Sequence, residues 1–302
     1  MKISSLSASA EQFAQPCVRS SHLAPVSALL GNSNHLAGIQ HPLCVNQMTG
    51  QLFFNAPILN LQFPMMIVRH GQTDGNKHRK FQGRADGPEN RLNEAGRDQA
   101  SRAAEKVYAQ LVHYLGAALI PFAKTDRLVI LKSPSTRAQE TAQIFLDYFQ
   151  AQTGIGLESR VEKCLAEISF GVADGLLFEE IKDEQVRQAV LRYRLQQDAT
   201  TNWNGTGESF LDVLIRAKQL LERLNDHYAN REVIVIAFSH GICSSAFRTL
   251  VGETSILTDD KMIAFRNKCL ENAEPHWLGQ SQQIVENFIS AAKNAKICKG
   301  RL

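Results

Sequence analysis

Three apolar runs in this 302-residue chain end in polar groups that could act together. Met65–Val68 runs into Arg69-His70-Gly71, and Leu128–Leu131 leads to Ser133-Pro134-Ser135-Thr136-Arg137. Val233–Phe238 runs into Ser239-His240-Gly241. Two arginines and two histidines at strand ends suit a phosphoryl group. Guanidinium groups hold phosphate oxygens through charge-assisted, often bidentate hydrogen bonds. A neutral imidazole nitrogen can attack phosphorus and form a covalent phosphohistidine. A glycine after each histidine lets backbone approach a ligand closely. Helices opening near Thr136 and Ile242 are expected to aim N-terminal N–H groups at the anion. With arginines supplying positive charge, no metal and no other cofactor is expected.

These residues need a frame that brings strand ends together. Short apolar runs of this kind read as buried strands. Helical periodicity follows Asn93, where Ala100, Ala103, Ala104, Val107, Leu111 and Leu115 recur at spacings of three and four. Further helices are expected from Ser135 or Thr136 to about Phe149, near Phe178–Arg194, over Ser209–Tyr228, from Ile242 to Val251 and over Gln280–Ala295. Met262–Phe265 is a candidate extra strand. Strands alternating with helices argue for an α/β fold with a largely parallel sheet. Such sheets bind ligands beyond the C-terminal ends of their strands, where the four polar residues lie. The segment Glu167–Gly175 reads as a loop bearing a carboxylate over the pocket, and Asp174 and Glu179 are equally open choices on this ground alone.

The order of these motifs resembles the histidine phosphatase superfamily with its phosphoglycerate mutase-like fold. The resemblance runs through Arg69-His70-Gly71-Gln72-Thr73, Asn76, Phe81-Gln82-Gly83, Asp86, Leu92-Asn93 and Gly96. It continues through Ser133–Ala138 with Thr141, Leu165-Ala166-Glu167, Phe170-Gly171, Gly175, Gly207-Glu208-Ser209 and Ser239-His240-Gly241. It covers about residues 65–275. It implies a three-layer sandwich with a mostly parallel central sheet flanked by helices. It implies His70 as nucleophile, with Arg69, Arg137 and His240 binding the phosphoryl group. Glu167 falls where the family's phosphatases carry their general acid. Asn76, Gln82, Gly83 and Gly241 fall at pocket-lining places. Two departures stand out. Gly75 replaces the usual aromatic before Asn76, and Pro88-Glu89-Asn90-Arg91 lengthens the loop after Asp86.

The resemblance points to the phosphatase branch. The mutases carry a Glu-Arg-x-Tyr-Gly type segment, and here the stretch is Glu167-Ile168-Ser169-Phe170-Gly171. The expected activity is hydrolysis of phosphomonoesters, with a small-molecule ester favoured over a phosphoprotein. The alternatives are a phosphoglycerate mutase-type phosphotransferase and a non-catalytic binding protein on the same fold.

Net charge is +3, from 33 Lys+Arg against 30 Asp+Glu. That is too little for a nucleic-acid footprint, so no nucleic-acid partner is expected. No apolar stretch reaches the roughly 18 residues of a membrane span. Six dispersed cysteines, without a C-x-x-C pair, fit free thiols in a reducing compartment such as the cytoplasm. Residues 1–64 hold three charged side chains, Lys2, Glu11 and Arg19. They read as a loosely ordered extension that packs on the domain or is mobile, the alternative being a targeting, export or partner-binding segment, ahead of a catalytic domain over 65–302. The sequence does not fix the oligomeric state.

Overall fold

The computed structural model describes residues 23–25, 43–54, 58–229, 231–253, 263–264 and 269–287. Three short strands come first: β1 (Leu23–Pro25), β2 (Leu43–Asn46) and β3 (Leu52–Phe54). The main sheet opens with β4 (Met65–Arg69). A short helix α1 (Asp74–Lys77) leads to the long α2 (Glu94–Leu115) and to α3 (Leu119–Lys124). Then come β5 (Leu128–Lys132), α4 (Thr136–Thr153) and β6 (Ser159–Val161). Helices α5 (Glu184–Gln196) and α6 (Phe210–Tyr228) precede β7 (Ile234–Ser239) and α7 (Gly241–Leu250). β8 (Ile263–Ala264), β9 (Pro275–Trp277) and a helix over 281–287 complete the described chain.

The main sheet has the order β6-β5-β7-β4-β9. All its pairs are parallel except β4 with β9. Side chains alternate between the two faces of each strand. Met65 and Ile67, Val129 and Leu131, and Val235 and Ala237 enter one core, with side chains from α5, α6 and α7. Met66 and Val68, Leu128 and Ile130, and Ile234 and Ile236 enter the other, with side chains from α2, α3 and α4. The result is the expected three-layer α/β sandwich. No helix among the described residues is long and apolar enough to cross a membrane.

Register decides what meets at the sheet's end. Arg69 pairs with Ser239, and Lys132 with Phe238. His70 and His240 therefore leave neighbouring strands at one level, and Ser133 N–H bonds the Phe238 carbonyl beside them at 2.9 Å.

The helix starts follow their caps. Asn93 accepts from Gly96 N–H, and Ser209 forms a reciprocal capping box with Asp212. The helix expected from Phe178 begins instead at Glu184. Asp183 caps it by accepting from Gln185 and Val186 N–H, while Phe178–Glu180 is a single 3-10 turn. The apolar side chains there mimicked one more helical turn. Of the expected strand Met262–Phe265 the described part is β8, which pairs with β3 rather than joining the main sheet. The expected last helix is observed over 281–287, and its remainder lies outside the described residues.

Part of the N-terminal extension is described. β1, β2, β3 and β8 form a small antiparallel sheet. Leu52 is buried in the core shared with α5, α6 and α7. The Gly50 carbonyl accepts from Ala199 N–H at 2.9 Å, and Ile58 and Leu59 N–H both reach the Leu250 carbonyl.

Candidate active site

His70 stands at the end of β4, only 2% exposed. Its Nδ1 lies 2.7 Å from the Gly71 carbonyl. A carbonyl only accepts, so Nδ1 carries the proton and Nε2 holds the free lone pair. Arg137 Nε donates to that lone pair at 3.2 Å. Burial, then Arg137 and Arg69, hold the imidazole well below its ordinary pKa of 6.5. The ring is held neutral, with its unprotonated nitrogen facing a guanidinium.

The loop carrying His70 is fixed by close backbone approach. A Cβ on Gly71 would sit 2.2 Å from the Gly96 carbonyl oxygen, and one on Gly96 would sit 1.9 Å from that of Gln72. Only glycines let this loop lie on the first turn of α2. Gly71 N–H bonds Thr141 Oγ1 at 3.1 Å, one helical turn beyond Arg137 on α4.

The remaining cations surround the same point. Arg137 is fully buried in the first turn of α4, and its other nitrogens donate to the Gly83 and Ala85 carbonyls at 2.8 and 3.1 Å. Arg69 Nη1 donates to the Leu270 carbonyl at 2.5 Å. The His240 ring lies 5.1 Å from the His70 ring, and its Nε2 meets Ser133 Oγ at 2.7 Å. Burial first, then Arg137, holds His240 well below 6.5 as well. Arg69 Nε and His240 Nδ1 are buried with no hydrogen-bond partner among the described residues. Buried polar atoms normally have partners. An anion between these side chains would supply them. Gly241 has a steric role: a Cβ there would meet Cys269 Sγ at 3.1 Å and Arg69 Cζ at 3.5 Å.

Glu167 is buried beside this group. Its carboxylate accepts from Ile242 N–H at 3.2 Å and from Cys243 N–H at 3.0 Å, the first turn of α7. The same first turn was expected to face the anion directly. At α4 the Thr136 N–H is likewise taken, by Asp86 at 3.0 Å. Both helix starts thus place carboxylates, because an acidic side chain is the nearest anion to a helix N-terminus in the folded chain. Asp174 accepts from Phe170 N–H and Ser169 Oγ, and burial raises its pKa.

Asn76 and Gln82 belong to one buried amide network. Asn76 Nδ2 donates to Gln82 Oε1 at 2.5 Å, and Gln82 Nε2 donates to Thr73 Oγ1 and Asn90 Oδ1. Asn272 Nδ2 joins it, donating to the His70 carbonyl at 3.1 Å and to Asn76 Oδ1 at 3.4 Å. Gly83 contributes its carbonyl to Arg137, at a positive φ of 46°.

Sequence reasoning missed Arg216. It donates to the Cys164 and Glu167 carbonyls at 2.7 and 3.2 Å, and pairs with Glu208. Glu208 also accepts from Ser169 N–H, so the pair brackets the Glu167 segment from both sides. Arg216 sits between Val213 and Ala217, inside the apolar stripe of α6. A charged residue in such a stripe is the available signal. Among the described residues, no group of three or more His, Cys, Asp or Glu side chains could hold a metal ion.

A family model described as the histidine phosphatase superfamily (branch 1) matches residues 65–270. Phosphoglycerate mutase-like protein 4 of Arabidopsis thaliana is 29% identical over 178 residues, covering 59% of this chain and 66% of that protein. Mannitol-1-phosphatase of Eimeria tenella is 28% identical over 240 residues, covering 69% of this chain and 72% of the relative. A mycobacterial glucosyl-3-phosphoglycerate phosphatase solved with VO3 superposes with a TM-score of 0.51 at 26% identity, covering 71% of this chain and 90% of the other. The chain spans just under two thirds of the plant relative's length. Since the family match starts at β4 and runs past α7 to Leu270, taking in the ends of β4, β5 and β7, the chain belongs to the histidine phosphatase superfamily, branch 1.

Proposed function

We propose that the protein hydrolyses small-molecule phosphomonoesters through a phosphohistidine on His70. The observation that carries this is the state of His70. Its Nδ1–H is held by the Gly71 carbonyl, so Nε2 is an unprotonated nucleophile, aimed where Arg137, Arg69 and His240 converge. In the first step Nε2 attacks phosphorus in line. The bond from phosphorus to the leaving oxygen breaks, and Glu167 gives that oxygen its proton. Arg69, Arg137 and His240 bind the equatorial oxygens, where charge builds. In the second step a water attacks phosphorus, Glu167 takes its proton, and the N–P bond breaks. His70 returns neutral, with alcohol and inorganic phosphate as products.

Hydrolysis is favoured over phosphoryl exchange by the Glu167–Gly171 stretch, which has no arginine to hold a phosphorylated intermediate against water. Two of the relatives named above are phosphatases by name, which supports the same choice. Residues 65–302 are proposed to carry the chemistry, with residues 1–64 an addition to it. The test is to incubate the protein with 3-phosphoglycerate and other phosphomonoesters and to measure free phosphate and isomerised ester together. Release of free phosphate is expected. Isomerisation without it would replace this reading by a mutase. Turnover of no ester, with phosphate still bound tightly, would replace it by a binding protein.

A further inference from the structure

Ser133 follows β5 and is fully buried, yet the proposed reaction gives it no part. Its N–H bonds the Phe238 carbonyl at 2.9 Å, which holds it level with His240 at the end of β7. Its Oγ then lies 2.7 Å from His240 Nε2. The direction of that bond decides what His240 offers a ligand. A hydroxyl either gives or takes a proton, and a neutral imidazole carries its one ring proton on Nδ1 or on Nε2. Burial and the Arg137 guanidinium keep the His240 ring neutral near pH 7.

The count of donors and acceptors gives the direction. Ser133 Oγ already accepts from Ser135 N–H at 3.4 Å. Among the described residues, His240 Nε2 is the acceptor within reach of the hydroxyl proton. A proton on Nε2 would leave that hydroxyl proton buried without an acceptor. It would also leave a bare lone pair on Nδ1, set against phosphate oxygens that are acceptors too. With the hydroxyl donating to Nε2, the ring proton lies on Nδ1, the atom buried with no partner among the described residues. The guanidinium groups of Arg69 and Arg137 hold only donors, so the acceptor for Nδ1–H is the anion itself.

We infer that Ser133 is a positioning residue, whose hydroxyl donates to His240 Nε2 and so fixes His240 as an Nδ1–H donor to the phosphoryl group. The inference rests on the phosphatase reading for the identity of the anion, while the tautomer is a property of the unliganded protein. His240 then supplies a directed hydrogen bond, and the two arginines supply the positive charge.

NMR of protein labelled with ¹⁵N in its histidines reads the tautomer directly, with the His240 signals assigned by their loss in His240→Ala. Wild type near neutral pH should carry the proton on Nδ1, and inorganic phosphate should shift that resonance. Ser133→Thr, which keeps a hydroxyl, should retain this form. Ser133→Ala should lose the preference for it, and its kcat/KM for p-nitrophenyl phosphate should fall about tenfold, the scale of one hydrogen bond to a charged group. In a His240→Ala background the same change should cost less than about twofold, because residues that act through one another are not additive. A proton on Nε2 in wild type, or an Nδ1–H form kept in full by Ser133→Ala, overturns the inference. An equal tenfold loss in the His240→Ala background also overturns it, since a merely structural hydroxyl would act in both. Hydrolysis of no ester by wild type overturns the phosphatase reading instead, with the tautomer still read from the spectrum.

Discussion

Replacing Arg216 by methionine keeps much of its volume on α6 and removes its fork. Five hydrogen bonds go: one each to the Cys164 carbonyl, the Glu167 carbonyl and Cys243 Sγ and two to Glu208, from a side chain only 13% exposed. Glu208 keeps Arg84, but that partner is half exposed. Breaking a buried ion pair from one side costs about 3–5 kcal/mol, and this pair belongs at the lower end because Glu208 is partly rescued. The fold should therefore lose about 3 kcal/mol in urea denaturation. The catalytic effect is separate. Without its carbonyl tether the Glu167 segment can shift, and misplacement by about 1 Å costs on the order of a hundredfold. That penalty should appear only where a proton must reach the leaving oxygen. For an alkyl phosphate, kcat/KM should fall about a hundredfold. For p-nitrophenyl phosphate, whose leaving group departs as the anion, it should fall less than about fivefold, because kcat/KM ends with formation of the phosphohistidine. Arg216→Lys keeps the charge and should recover part of both losses. A merely structural role would lower stability and leave the ratio between the two esters alone. Equal losses on both esters would refute the claim that Arg216 acts through Glu167.

Acid should weaken the fold through His70 and His240. Burial holds both below 6.5, so the unfolded chain takes up protons there that the folded chain refuses. Stability is then fully present above about pH 6.5 and falls below it, by up to about 1.4 kcal/mol per pH unit for each histidine. Denaturation series at pH 7.5, 6.5 and 5.5 read this, and a gain on acidification would contradict it. Gly96→Ala places a methyl 1.9 Å from the Gln72 carbonyl oxygen and should cost about 2–3 kcal/mol and most activity. Gly87→Ala, with nothing within 4 Å of its Cβ, should change melting little, and parity between the two variants would contradict the packing argument. Arg137→Lys keeps a charge but cannot hold the Gly83 and Ala85 carbonyls while reaching phosphate. Its kcat/KM should drop at least a hundredfold in steady-state assays.

The chemistry was most legible where local sequence and global register agree. Buried runs such as Met65–Val68 and Val233–Phe238 announce strands, and parallel pairing then aligns whatever follows them. Hence His70, Arg69, Arg137 and His240 could be grouped from the chain alone. The cap residues Asn93 and Ser209 marked helix starts for the same local reason. Contacts between distant segments were not legible. Asp86 bonds Thr136 across fifty positions, and Glu167 bonds Cys243 across seventy-six. Nothing local to either acid selects these partners. The short start of α5 was obscured because Phe178 and Ile181 continue its apolar period, while Arg187 stacks on Phe178 at 4.4 Å instead of extending the helix. β9 was hidden because Pro275 opens an edge strand with only Trp277 fully buried.

The central claim is that His70 takes the phosphoryl group, and rapid-quench trapping tests it most directly. Enzyme mixed with a ³²P-labelled phosphomonoester is quenched in alkali, where a phosphoramidate survives, and the labelled peptide is identified. The label should lie on His70, approach one per chain, increase in Glu167→Gln because hydrolysis slows, and vanish in His70→Ala. Label that persists in His70→Ala, or that maps to another side chain, would contradict the account.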